Sequence, residues 1–332
     1  MAFYAHETVI GLELSTDSVQ VSELSKQNNA YVVTNVAQLT LPPRLIVDGM
    51  ITDPETLGDL LKDLFQEHAF SSKNIVVGVN DSKILKRAGI FPVLPIPDLR
   101  AQLELNVAAH PFFYQKEFYV GFQRFRSPVY EAQEDPEVET VVYAALGVDS
   151  IESIKDLALE LEMTLIGINT MSLSVLRAIQ WKAQPFKNEP IVFLYTEKTY
   201  TEMIIVYKEK ILEVVTFRNS VADILNDEYG LESFIIRLKQ SLARFANHYP
   251  QCPAPTVIYE FSRTPQAKDF HVALNNALNM EVRKAVIPDT ISCEQEDLFS
   301  GEDKHIQVQR YVPSIGVGLS YFEPYNESLS IA

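Results

Sequence analysis

The chain predicts an α/β protein made of two similar halves, with a small α+β subdomain inserted in the first. Three features of the sequence carry this. Three strands, a helix and a strand follow one another in the first 80 residues. The same β-β-β-α-β order returns near residue 190, and a proline-pinned block of a different pattern lies between the two.

In the first half, Val9 to Leu14, Val19 to Leu24 and Tyr31 to Leu39 read as strands, with Ser25-Lys26-Gln27-Asn28-Asn29 as a polar turn. A helix opens at Asp53, with Pro54 in the first turn where its missing N–H is tolerated. Leu57, Leu60, Leu61, Leu64 and Phe65 share one face of it, and Ile75 to Val79 is a short buried strand. In the second half, Ile191 to Tyr195, Glu202 to Tyr207 and Ile211 to Phe217 are strands. The spacing from Val221 to Tyr249 predicts one long helix ending before Pro250. Thr256 to Tyr259, the helix Gln266 to Leu278 and the strand Glu281 to Val286 complete the unit.

The block between is different. Ile90 to Pro97 is extended because each proline biases its predecessor away from helix. A helix carrying Leu99, Leu103 and Val107 follows and stops at Pro111. Phe118 to Phe125 and Val141 to Val148 read as strands around an acidic loop, Glu131 to Glu139, and Asp149 to Glu162 as a helix. The expected division is 1–82, completed by 165–185, for the first half, 83–164 for the insertion and 186–332 for the second half.

Charge narrows the function. Lys and Arg total 28 against 44 Asp and Glu, a net charge of −16, which repels nucleic-acid phosphates and anionic lipid. No nucleic-acid partner and no direct membrane insertion are expected. Two cysteines without a CxxC argue against a disulfide framework or a metal knuckle and fit a cytoplasmic protein. The start has no signal-peptide pattern and no apolar run is long enough for a bilayer span. Phosphate-loop, nucleophile-elbow, zinc-protease and EF-hand spacings are missing from the sequence, so no catalytic and no metal-ligating residues are assigned. The six scattered histidines read as surface or helix-end residues, Glu294 to Asp303 as a solvated loop, and Gly316-Val317-Gly318 as the packing face of a C-terminal helix.

Several segments carry a resemblance. Ile10-Gly11-Leu12-Glu13-Leu14-Ser15-Thr16-Asp17-Ser18 through Leu24 looks like a first phosphate hairpin, and Phe91 to Leu99 like the proline-rich start of an inserted subdomain. Val142 to Leu146, Ile166 to Leu173 and Ser314 to Leu319 extend the pattern in the same order. Together they resemble the PilM family of type IV pilus assembly, related to FtsA, within the actin-like ATPase superfamily. The resemblance implies actin-like, ribonuclease H-like halves and a nucleotide cleft between them.

Departures from the family pattern bear on that cleft. Glu13 holds the aspartate position, Ser15 the glycine and Gln20 the lysine, so Glu13, Ser15, Thr16 and Gln20 mark a degenerate nucleotide loop. Leu194-Tyr195-Thr196-Glu197 stands where the second turn is expected, and Glu260-Phe261-Ser262-Arg263 where a double glycine would follow the strand. A nest for phosphate needs close-approaching backbone N–H groups, and a carboxylate there repels a triphosphate. Glu13 and Glu197 also read simply as solvated strand-end carboxylates. No cofactor and no enzyme activity are expected, with ATP and magnesium as the alternative.

What the resemblance implies is therefore a cytoplasmic scaffold of a type IV pilus or related secretion platform. Its partner would be a PilN-like bitopic inner-membrane protein, bound through an N-terminal peptide, with self-association as a further property. Pro92, Leu94, Pro95, Leu99, Leu103 and Val107 are the partner-binding candidates. The alternatives are an ATP-binding PilM- or FtsA-like protein and a GspL-like type II secretion component. The GspL-like family continues into a membrane span, which favours a free-standing protein here.

Overall fold

The structure, a computed structural model, describes residues 8–322 except 28–29, 48, 81–83, 126–137, 181–188, 228, 263–266, 287–290 and 294–303. β1 (Thr8–Leu14), β2 (Ser18–Gln27) and β3 (Ala30–Thr40) form an antiparallel meander. The ribbon of β4 (Ile46–Val47) and β5 (Met50–Ile51) leads into α1 (Pro54–Glu67), and β6 (Asn74–Val79) then joins β1 in parallel. Asp53 caps α1 as the Asp-Pro start predicts, its carboxylate accepting the Thr56 N–H at 3.0 Å.

β7 (Leu85–Pro92), β8 (Phe118–Phe125) and β9 (Val138–Gly147) make a separate antiparallel sheet in the order β7-β9-β8, with α2 (Ile96–Ala108) packed on it. α3 (Val148–Glu160) and β10 (Thr164–Thr170) return the chain to the first sheet beside β6, and α4 (Met171–Gln180) leaves it.

The second half runs β11 (Ile191–Thr196), β12 (Thr201–Tyr207), β13 (Lys210–Phe217), α5 (Val221–Asn226), α6 (Gly230–His248), β14 (Val257–Ser262), α7 (Ala267–Ala277) and β15 (Glu281–Lys284). β16 (Ile291–Cys293) and α8 (Lys304–Phe322) follow. The large sheets have the orders β10-β6-β1-β2-β3-β16 and β13-β12-β11-β14-β15. With β16 set aside, the two orders match strand for strand, with antiparallel and parallel pairs in the same places. The fold is α/β with duplicated actin-like halves.

Several expectations are corrected. The expected boundary at 164 puts α3 in the insertion, but Ile151, Ile154, Leu157 and Leu161 pack with Leu57, Leu61 and Leu64 of α1 in the core of the first half. It is the counterpart of α7, since each leads into the outermost parallel strand of its sheet. The C-terminal part of 186–332 does not stay with the second half: β16 pairs with the free edge of β3, and α8 packs against β1, β2 and α4. Close approach makes that packing work. A Cβ on Gly11 would lie 2.1 Å from the Ser314 carbonyl and 2.6 Å from the Gly318 nitrogen. The glycine pair in α8 is thus a packing face, as its sequence predicts.

The long helix from Val221 is two helices. Ser220 caps α5 reciprocally with Asp223, the Asp223 N–H reaching Ser220 Oγ at 3.0 Å and the Ser220 N–H reaching Asp223 Oδ2 at 2.9 Å. Gly230 then turns so tightly that an added Cβ would sit 2.7 Å from the carbonyls of Asp223 and Ile224. Helix α2 begins at Ile96 rather than after the proline stretch, because Pro97 falls in its first turn. Ser25, Lys26 and Gln27 continue β2, while Asn28 and Asn29 lie outside the described residues, as do 131–137 and 294–303. Glu260, Phe261 and Ser262 are strand rather than loop, paired with Leu194, Tyr195 and Thr196 of β11.

A shared core lies between the two sheets, where α4 and α8 bring Val175, Leu176, Ile315 and Val317 against Phe193, Tyr195 and Ile204. The second half closes its other face with Phe234, Leu238, Phe245 and Phe270 on α6 and α7. Among the described residues no helix is long and apolar enough to cross a membrane.

Candidate functional site

Two concave regions follow from this arrangement. The first is a cleft of 610 Å³ between the halves, walled by the β1–β2 hairpin, the β11–β12 hairpin and the ends of β14 and β15. Of the four loop residues named from the sequence, Ser15, Thr16 and Gln20 line it and Glu13 does not. Glu13 and Glu197 are not solvated strand-end groups, for they are only 1% and 7% exposed. Ser15 Oγ donates to Glu13 Oε1 at 3.0 Å, so that hydroxyl proton is turned away from any phosphate. Tyr195 Oη donates to the Glu197 carboxylate, and the Glu197 N–H closes the second hairpin on the Tyr200 carbonyl at 2.9 Å.

Side chains cross this cleft. Lys198 of the second hairpin pairs with Asp17 of the first and holds its carboxyl below the ordinary aspartate value. Tyr200 Oη donates to Asn80 Oδ1 at 2.7 Å, joining β12 to the end of β6. Deeper in the wall, Glu260 is 3% exposed. Burial pushes its pKa up to about 7, with Lys284 opposing the shift, and His271 Nδ1 lies 3.3 Å from Oε2. Lys284 and Arg310 also line the space.

The lining departs from a magnesium-triphosphate site at both hairpin turns. The hairpin turns carry side chains where a phosphate nest needs bare backbone. Asp17 and Lys198 are committed to each other across the cleft, and the remaining carboxylates, Glu197 and Glu260, share the lining with Lys284 and Arg310. The sequence names Asp17 and Glu260 only as members of the first and third loops, and it does not single out Asn80, Lys198 or Tyr200. A carboxylate inside the apolar run of β14 was the one available signal.

The second region is a groove between the insertion and the first half. β8 ends the three-stranded sheet and β10 ends the six-stranded sheet, so among the described residues each has one unpaired backbone edge within its sheet. Tyr119 and Gly121 of β8 and Ile168 and Asn169 of β10 wall a pit of 40 Å³, together with Val79, Ile84, Ala144 and Leu146. At its floor lie Thr170 and Arg177. The Thr170 hydroxyl is buried with no hydrogen-bond partner, whereas Asn169 donates to Ser320 Oγ at 2.7 Å and Arg177 to the Gly316 carbonyl at 3.4 Å. The groove is thereby tied to α8.

The partner candidates divide. Leu99, Leu103 and Val107 are fully buried in the insertion's own core with Phe113, Val120 and Val141, so a partner has no access to them. That corrects the expectation: the stripe of α2 packs the insertion because it faces β8 and β9. Leu94 is half-buried on the same core, its carbonyl held by Arg124 Nη1 at 3.0 Å. Pro92 and Pro95 are exposed, next to Val93 and Ile96 at 49% each.

The sequence family described as type IV pilus assembly protein PilM matches residues 11–191. The chain belongs to that family. Among solved structures, a PilM-PilN type IV pilus biogenesis complex is similar at a TM-score of 0.74 and 16% identity, over 94% of this chain and 97% of that one. A Bacteroides thetaiotaomicron protein with an actin-like ATPase fold aligns at a TM-score of 0.49 and 13% identity, over 85% of this chain and 93% of its own. The ethanolamine utilization protein EutJ from Carboxydothermus hydrogenoformans gives 0.46 and 10%, over 94% and 89%.

Proposed function

We propose that this PilM-family protein is a non-hydrolysing scaffold of a type IV pilus or related secretion platform. It binds an extended N-terminal cytoplasmic peptide of a PilN-like bitopic inner-membrane protein, and through that partner it sits at the inner membrane. The observation that carries the proposal is the groove itself: two unpaired strand edges flank an apolar pit whose floor holds an unpartnered hydroxyl at Thr170. An extended chain laid there gains main-chain hydrogen bonds from a strand edge and places alternate side chains in the pit, with no nucleotide in the interaction. The solved PilM-PilN complex of the same fold supports the choice of partner.

The cleft supports the other part. Its hairpins join through Lys198 and Asp17, and its turns carry side chains where a phosphate nest needs bare backbone. The expected role is to hold polypeptides rather than to turn over ATP. The test is fluorescence anisotropy with the labelled N-terminal peptide of the bitopic membrane protein encoded beside this chain, in nucleotide-free buffer. Saturable binding is expected, weakened by about tenfold or more in Ile168→Lys, which sets a charge in the pit wall. Lack of binding at high micromolar concentration overturns the proposal.

A further inference from the structure

We infer that the groove's occupant is cationic as well as apolar: the outer face of α1 and α3 is an acidic docking surface for Lys and Arg residues flanking the bound strand. This rests on the groove assignment above and adds the chemistry of the partner.

α1 and α3 pack side by side over one face of the first sheet and leave their outer sides in water. Those outer sides are strongly one-signed. Asp59 and Asp63 on α1, Glu152, Asp156 and Glu160 on α3, and Glu162 just after it are all exposed. The two lysines among them, Lys62 and Lys155, already pair with Asp59 at 3.3 Å and Glu152 at 2.8 Å. The six carboxylates less the two lysines leave this layer with a net four of the chain's surplus of 44 acidic over 28 basic residues.

This surface continues from the groove. Lys155 Nζ stands 5.3 Å from the ring centroid of Tyr119, which walls the pit, so α3 borders the groove directly. One turn beyond Lys155, Leu159 is 74% exposed, and Ile166 on the edge strand β10 is 39% exposed. These two apolar side chains are exposed on the same two elements, α3 and β10, that border the groove. The pit points to a ligand independently of the charge, through the buried, unpartnered hydroxyl of Thr170.

The charge selects the kind of ligand. An acidic layer repels anionic lipid and acidic chains, and attracts a segment rich in Lys and Arg. Short cytoplasmic segments next to a membrane span carry such an excess. A peptide that fills the pit with apolar side chains and lays basic residues along α3 satisfies both parts of the surface. Such charges act chiefly on the association rate and on salt dependence.

The test uses the full chain and the same labelled N-terminal peptide, once as the native sequence and once with every Lys and Arg replaced by Gln. The protein variants are the triple substitution Asp156→Asn, Glu160→Gln, Glu162→Gln and, separately, Ile168→Lys. At about 50 mM salt the native peptide is expected to bind the triple variant about tenfold more weakly than the unsubstituted chain. The gap closes at about 500 mM salt, where screening is short-ranged, and the Gln-substituted peptide binds both proteins alike. Equal binding of the native peptide to both proteins at low salt, with Ile168→Lys still defective, overturns the acidic surface and leaves the groove standing. Absence of binding to the unsubstituted chain overturns both. Melting curves by circular dichroism check that the surface triple substitution and Ile168→Lys, at a half-buried position, leave the fold intact.

Discussion

Across the interdomain cleft, side chains of the two halves meet each other. Lys198 reaches Asp17 and Tyr200 reaches Asn80, while Lys86 of the insertion is buried 2.7 Å from Glu202 of the second half. Along the insertion groove, two strand edges instead flank a pit with unused hydrogen-bonding capacity. Where contacts are supplied by the protein, the arrangement is kept without a ligand. Where edges are left open, our proposal has a ligand complete it. On our proposal the first region is a rigid joint and the second the working surface.

The joint breaks most severely at Lys86. Its ammonium also lies 5.0 Å from the Tyr200 ring centroid, in a site with almost no water contact. Lys86→Met leaves the Glu202 carboxylate buried without a counter-charge and is expected to lower unfolding free energy by about 3–5 kcal/mol in urea titration. Adding Glu202→Leu is expected to restore most of it, because the removal of both charges ends the desolvation cost.

Leu99→Ala separates packing from binding. The substitution opens a cavity in the insertion core and is expected to cost about 2–5 kcal/mol. Peptide affinity of the folded protein, measured by anisotropy well below the melting temperature, is expected to stay within about twofold, because Leu99 faces the core and not the groove.

Glu260 sharpens the contrast through pH. Its folded pKa of about 7 lies above the ordinary 4.5, so the folded state holds this proton more tightly than the unfolded chain. That contribution to stability is fully present below the ordinary value and is lost as pH rises through about 7. Glu260→Gln is therefore expected to be more stable than the parent by about 3 kcal/mol near pH 8, with the gap closing towards pH 5, in paired thermal melts. The smallest effect belongs to the exposed pair at the cleft mouth: Lys198→Ala is expected to change stability by less than about 1 kcal/mol.

Much of the architecture was legible because local rules and the global fold agree. The Asp53-Pro54 start, the β-β-β-α-β order and the small residues of α8 each have one physical solution, and the structure adopts it. The helix break at Gly230 was hidden because apolar spacing continues across it, and only the backbone approach shows why glycine stands there. Burial of α2 was misassigned because an apolar stripe looks the same whether it faces a core or a partner. Lys86 and Glu202 lie on separate strands far apart in sequence, and their pairing exists only once β7 is laid against the second half. The groove edges were equally invisible, since an unpaired edge is a property of strand order and not of composition.

The most direct test of the central claim is calorimetric titration of magnesium-ATP into the full chain. A cleft walled by committed hydroxyls and carboxylates is expected to give no saturable heat up to about 1 mM nucleotide, weaker than about −4 kcal/mol of binding free energy. A one-site isotherm with a dissociation constant of a few micromolar, about −8 kcal/mol, contradicts the account.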